Sequence, residues 1–344
     1  MANQGASRVG EGDLHCVVAT VNCGPVSLRR DLEAVREGGI HSFFVTVAAL
    51  EDTAQAMLLL SQWRRTLADP SLPARLCTSV SELQRAKAES VAGVVFHFQG
   101  TEPLHGSVDL LEPFANLGLR VLQLTYNYRT HAGDGCFEPE DAGLSLYGRR
   151  LVDEACRRRI ALDITHAGTR TSLDILERSA LPVLATHANA RALCDSPRNL
   201  TDEVIKAAAA SGGVIGLCAF RAFVAADPEP TIDDLVRHAA HIAELVGPQH
   251  VGLGWDFAES SEEDFEFWGY DERYYPRPPW TWPHGLQSVA DTGNIVPALS
   301  RAGFSATENC RRHGREFSPS PHNDLGCVAA APEANAARAR LRAE

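Results

Sequence analysis

Residues 160–188, IALDITHAGTRTSLDILERSALPVLATHA, decide the fold. Two apolar, β-branched runs at 160–166 and 182–188 flank a helical period at 172–179, which is a strand–helix–strand unit feeding a parallel sheet. Both strands end on a histidine, His166 and His187.

The same rhythm continues outward. Strand-like runs fall at 15–22, 41–48, 93–100 and 120–127 before this unit, and at 214–220 and 250–257 after it. Helical patterns occupy 28–37, 53–67, 146–158, 202–210 and 232–246, several closing on glycine where a C-cap is expected. Eight strands in this alternation predict an α/β chain folded as a (β/α)8 TIM barrel of the metallo-dependent hydrolase type. No GxGxxG follows the first strand, which argues against a dinucleotide-binding sheet. The expected organisation is one barrel domain over 1–317, an aromatic and proline-rich insertion at 259–284, and a loosely ordered tail at 318–344.

Composition excludes several partners. With 44 acidic against 32 basic residues the net charge is −12, so the surface repels phosphate backbones and nucleic acid is not expected. No apolar run reaches the ~18 residues of a membrane span, and no signal-peptide layout opens the sequence. The nine cysteines lack CxxC spacing and read as reduced thiols of a cytoplasmic protein.

In such a barrel the polar residues at C-terminal strand tips form the site. Here the tips carry Gln99 (HFQG), Tyr126 (LTYN), His166 (DITH), His187 (ATH) and Asp256 (GWDF). Two histidines on neighbouring strands can converge on zinc, and an aspartate across the mouth can accept a proton from solvent that the ion acidifies. Each residue also has a plain structural reading. A lone strand-end histidine is usually a hydrogen-bonded core residue. Asp163 either orients a ligand or caps a helix, and His97 is either a replacement ligand or core. His238 and His241, spaced H-x-x-H, read as a partly exposed helix face.

The segments GLRVLQLTYN (118–127), GDGCFEPEDAGLSLYGRRLV (133–152), IALDITHAGTRTSLDILE (160–177), PVLATHANARALCDSPRNLTDEVIKA (182–207), GGVIGL (212–217) and VGPQHVGLGWDF (246–257) together resemble the membrane (renal) dipeptidase family of zinc peptidases. The resemblance spans about half the chain and implies a (β/α)8 barrel with a two-metal site. It assigns His166 and His187 to one zinc ion, Arg198 to the substrate carboxylate, and Asp256 to the substrate amino end and proton transfer.

Other positions depart from that pattern. The family's first-strand His-x-Asp pair falls on Val21 and Cys23, its bridging glutamate on Gln99, and its substrate-polarising histidine on Tyr126. Without the bridging charge two dications would repel one another with little compensation. The expectation is therefore one zinc ion or none, held by His166, His187 and Gln99. A divergent bacterial-type branch carries Gln in that position together with a long aromatic insertion, and the sequence resembles it most. SATENCRRHGREFSPS (305–320) replaces the family's last helix, as an altered reading frame would.

Three functions fit these residues: a dipeptidase-type metallohydrolase of a dipeptide or small amide, a non-peptidase tailoring enzyme reusing the pocket, or a catalytically inactive homologue. The first two take a small-molecule substrate with a carboxylate on Arg198, with Asp256 and Tyr126 at the reacting end. The rings of 259–284 read either as a homodimer interface or as a rigid wall over the mouth, favouring an apolar or aromatic group beside that carboxylate.

Overall fold

The computed structural model describes residues 24–258 and 261–304. Its strands are β1 (Ser42–Ala48), β2 (Ala74–Leu76), β3 (Ala92–Phe98), β4 (Leu119–Gln123), β5 (Ala161–Asp163), β6 (Val183–Leu184), β7 (Ile215–Cys218) and β8 (Val251–Trp255). All pairings are parallel, in the order β1-β3-β4-β5-β6 and then β7-β8. An Ala185–Ile215 bridge carries the curve from β6 to β7. These strands, with β2 paired beside β3 and helices between them, belong to the (β/α)8 barrel. The first expected strand, 15–22, lies outside the described residues, as does the tail at 318–344.

Continuous apolar strands identify a sheet covered on both faces. Phe43, Val45, Val94, Phe96, Leu122, Leu162, Ile215 and Leu217 are fully or almost fully buried, and the Leu28–Glu37, Leu146–Arg157 and Ile232–Val246 helices add their apolar stripes to the same core. Glycine is required at two strand positions. A Cβ on Gly216 or on Gly254 would lie 2.1 Å from the Thr186 carbonyl oxygen, so only bare backbone lets β7 and β8 close around the β6 tip that carries His187.

Several strands are shorter than their apolar runs. The run at 182–188 contributes two ladder residues, because Thr186 and His187 turn inward to polar partners. Ala74–Leu76 is a short strand that the sequence did not announce; it pairs with the start of β3.

The surface reading of His238 is overturned. Its ring is fully buried, accepting from Ala190 N–H at Nδ1 (3.1 Å) and facing the Val224 carbonyl through Nε2 (2.8 Å). Only His241 of the pair is partly exposed, 2.8 Å from Asp202. The spacing named a common face correctly but not its surroundings: backbone at Ala190 and Val224 packs against the His238 ring.

Burial pushes the His238 imidazole below its ordinary value, outweighing the Val224 carbonyl, which acts in the opposite sense. The unfolded ring takes up a proton below about pH 6.5 and the folded ring resists it, so the unfolded state binds more protons and stability falls as pH drops through that window. This one ring contributes up to about 1.4 kcal/mol per pH unit. His238→Gln should flatten the slope of unfolding free energy between about pH 6.5 and 5 by that share, measured by urea denaturation; an unchanged slope would refute the assignment.

Candidate active site at the strand tips

The site begins from one buried carboxylate. Asp163, the last residue of β5, is fully buried and accepts five hydrogen bonds: from Gln123 Nε2 (2.7 Å), Thr165 N (2.9 Å), Thr165 Oγ (2.7 Å), Thr186 N (3.0 Å) and Thr186 Oγ. His97 Nε2 lies 3.4 Å away. Burial works to raise this carboxyl, yet the His97 ring and the Thr186 hydroxyl prevail and hold it well below the usual carboxylate range. Asp163 caps no helix; it orients the residues around it.

The consequences reach both histidines. Because the Thr186 hydroxyl donates to Asp163, it can only accept from His187 Nδ1, 2.8 Å away. His166 Nδ1 lies 2.7 Å from Asn127 Oδ1, an acceptor, while Asn127 Nδ2 donates to Tyr275 Oη at 3.2 Å. With both Nδ1 atoms committed as donors, both Nε2 atoms are bare acceptors, and they face each other at 3.0 Å. Burial, reinforced by the Arg198 guanidinium, lowers both rings well below the ordinary histidine value, so a proton between them is disfavoured.

Two neutral, oriented imidazoles whose second nitrogens are held by an amide and a hydroxyl fit one zinc-type ion. Among the described residues, no group of three or more His, Cys, Asp or Glu side chains is gathered as a ligand set. Val21 and Cys23, on which the resemblance noted in the sequence would place a second ligand pair, lie outside the described residues.

Arg198 is buried beside the pair. Its Nη2 donates to the His187 carbonyl (3.1 Å) and stands 3.4 Å from His166 Nε2, its plane lies over Phe223 (5.3 Å), and its Nε has no hydrogen-bond partner among the described residues. A guanidinium cannot shed its proton, so the site holds a permanent buried cation. Asp256 is 3.9 Å from His187 Nε2 through Oδ1 and 4.0 Å from Cys218 Sγ through Oδ2.

Tyr126 stacks on His166 with ring centroids 4.3 Å apart, and its Oη meets Tyr270 Oη at 2.8 Å. Burial raises its hydroxyl well above the ordinary value, so the group stays protonated. Gln99 shares a cavity of about 210 Å³ with Tyr126. His166, His187 and Arg198 are not among the residues that line this cavity; His166 is stacked against the Tyr126 ring that does.

The segment 261–284 covers this end. Tyr274 stacks on Phe137 (4.0 Å), and Tyr275 and Trp280 pack on Phe220. Three of the tip residues, Asn127 (φ +60°), His166 (φ +67°) and Asp256 (φ +67°), adopt the left-handed conformation that non-glycine residues avoid, a strain characteristic of functional sites. Asn127 and Thr186 are the site residues that sequence reading missed; their one signal was a hydrogen-bonding side chain next to a singled-out Tyr or His.

The profile of the family described as Membrane dipeptidase (Peptidase family M19) matches residues 18–267. An uncharacterized protein in the pqqA 5'region of Klebsiella pneumoniae is 31% identical over 193 residues, 53% of this chain and 71% of that protein. An uncharacterized dipeptidase of Schizosaccharomyces pombe is 30% identical over 238 residues, 67% of this chain and 54% of the relative; the chain thus spans about half of that protein's length. Among solved structures, an amidohydrolase from Pseudomonas aeruginosa superposes with a TM-score of 0.76 at 27% identity, covering 87% of this chain and 92% of that one.

Asp163→Asn tests the scaffold of the site. It replaces one acceptor oxygen by a donor facing buried N–H and O–H groups, each costing about 1–3 kcal/mol when unpaired. The expected loss is at least about 2 kcal/mol in chemical denaturation; a variant as stable as the parent would show that these contacts do not hold the strand tips.

Proposed function

The chain belongs to the membrane dipeptidase family, peptidase family M19, of dipeptidase-type hydrolases, and on that premise we propose that it is a metal-dependent hydrolase of a dipeptide or small amide with a degenerate, at most one-metal, site. The observation that carries this reading is the pair of bare Nε2 atoms 3.0 Å apart, each on a ring whose other nitrogen is already committed. Lone pairs at that distance repel; the Arg198 Nη2 donor reaches His166 Nε2 alone, at 3.4 Å, and burial disfavours a proton between the rings, so the His187 lone pair is left for a metal ion.

His166 and His187 hold the ion in this proposal, with the Gln99 amide oxygen or solvent completing its shell. When bound, the ion supplies Lewis acidity at the scissile carbonyl and acidifies a solvent ligand. The remaining work belongs to the chain. Arg198 takes the substrate carboxylate through its fork, using the Nε that is without a partner among the described residues. Asp256 accepts the proton released as solvent attacks and returns it to the leaving amine. The Tyr126 hydroxyl, kept protonated by burial, donates to the carbonyl oxygen as negative charge develops there. The rings of 261–284 exclude water from these contacts.

The test combines elemental analysis with hydrolysis of dipeptides and their C-terminal amides. Zinc should copurify at about one ion per chain, the count an open two-histidine site takes, and His187→Ala should remove it. The free acid should be preferred over its amide by roughly tenfold to a hundredfold, the worth of a charge-assisted hydrogen bond, and Arg198→Ala should erase that preference. Zinc retained by His187→Ala would place the site elsewhere. Protein without zinc or hydrolysis after expression in zinc-supplemented medium would favour a non-peptidase or inactive homologue.

A further inference from the structure

The cavity beside Tyr126 differs in character from the buried histidine pair. Four aromatic residues wall it: Tyr126, Trp268, Tyr270 and Trp280. Their planes are tilted, 45° between Tyr126 and Trp268 and 59° between Tyr270 and Trp280, with centroids 5.5 and 5.4 Å apart. Parallel walls would sandwich a flat ring; tilted walls instead surround a compact group. Two carboxylates, Glu51 and Asp264, join them beside the small or neutral Thr46, Val47, Ala48, Gln99 and Ala258, and among the described residues no lysine, arginine or histidine lines the cavity. Glu51 is braced by the Ala49 amide (2.6 Å) and Asp264 by Ser261 N and Oγ (2.8 and 2.7 Å), so both are held in place at the cavity.

We propose that this cavity binds an organic cation, the alkylammonium or quaternary ammonium group of the substrate. Ring faces are negative and attract a cation, more strongly when it is stripped of water. The two carboxylates add charge of the same sign. An anion would be repelled, and an uncharged apolar group would dehydrate the carboxylates without compensation. A cation is the one charge type that both the ring faces and the carboxylates attract. At about 210 Å³ the cavity is sized for one side chain and too small for a drug-sized ligand.

The position agrees with this. Tyr126 lines the cavity and stacks on His166, whose Nε2 lies 3.4 Å from the Arg198 guanidinium. A negative aromatic chamber and a buried positive charge thus lie two rings apart, and a zwitterionic molecule with its carboxylate toward Arg198 would direct its cationic end into the chamber. This changes the expectation of an apolar or aromatic group beside the carboxylate: the rings select for charge. That the cation belongs to a hydrolysed substrate rests on the function proposed above; the binding preference does not.

The experiment titrates the full chain with choline and with its uncharged isostere, 3,3-dimethylbutan-1-ol, following heat and the fluorescence of Trp268 and Trp280. Choline should bind at least about tenfold more tightly than the alcohol, as a desolvated cation–π site requires. Glu51→Gln combined with Asp264→Asn should shrink that preference about tenfold while circular dichroism stays unchanged, and Trp280→Leu should weaken choline binding, leaving a smaller fluorescence response from Trp268. Equal binding of the two probes, binding of neither, or a preference untouched in the double carboxylate variant overturns the proposal. A retained choline preference in a protein that neither holds zinc nor hydrolyses dipeptides would defeat the proposed function and leave the cation site standing. Hydrolysis without a choline preference would do the reverse.

Discussion

A carboxylate with no solvent contact is tolerated only when its oxygens are saturated by donors, and Asp163 imposes that condition on the barrel. Its donors come from β4 and from the residues following β5 and β6. Register makes them available: Gln123 stands opposite Asp163 in the β4–β5 pair, and Asp163 stands opposite Leu184 in the β5–β6 pair, two residues before Thr186. A slip of one residue would turn these side chains to the wrong face of the sheet. The chemistry follows from the same condition. The Thr186 hydroxyl commits its proton to Asp163, so His187 must donate from Nδ1, which leaves its Nε2 bare toward His166.

Much of the barrel was legible because parallel strands covered on both faces leave unbroken apolar runs, and seven such runs are strands here. Their ends were not legible. The run at 182–188 reads as one strand, yet pairing stops where Thr186 and His187 turn toward partners that are distant in sequence. Ala74–Leu76 is too short to show a period. His238 displays the same limit: a spacing fixes which residues share a helix face, while the packing of another part of the chain determines whether that face meets water. Among site residues, the histidines and Asp256 stood out by type and position. Asn127 did not, since an amide at a strand tip has no periodicity, and its place beside Tyr126 says nothing of the left-handed turn it makes.

The electrostatic layout explains why so polar a centre lies beneath aromatic rings. Arg198 is a permanent charge in a dry environment, and beside it both histidines are driven neutral. Water would screen that charge and hydrate the imidazole lone pairs, weakening the contacts on which recognition depends. The ring cluster built from Phe137, Phe220, Phe223, Phe265 and Tyr275 removes it. Aromatic bulk here serves the polar site by setting its dielectric environment.

One strand tip unites the scaffold and the cover. Tyr126 and Asn127 are adjacent, yet they serve different partners: Tyr126 bonds to Tyr270 in the cover and stacks on His166, while Asn127 bonds to His166 Nδ1 and to Tyr275. In a regular strand, neighbouring side chains point to opposite faces and could not both reach His166. The left-handed turn at Asn127, φ +60°, breaks that alternation and brings both onto the same imidazole. Such a conformation costs of order 1–3 kcal/mol and persists only where surrounding contacts over-determine it. Those contacts are present: the Asn127 carbonyl accepts from Phe137 N–H at 2.9 Å, and a Cβ on Gly135 would lie 2.2 Å from that same carbonyl. The polar loop after β4 thus stabilises a strained residue, and through that residue a single turn of backbone fixes the orientation of one histidine and the position of the aromatic cover together.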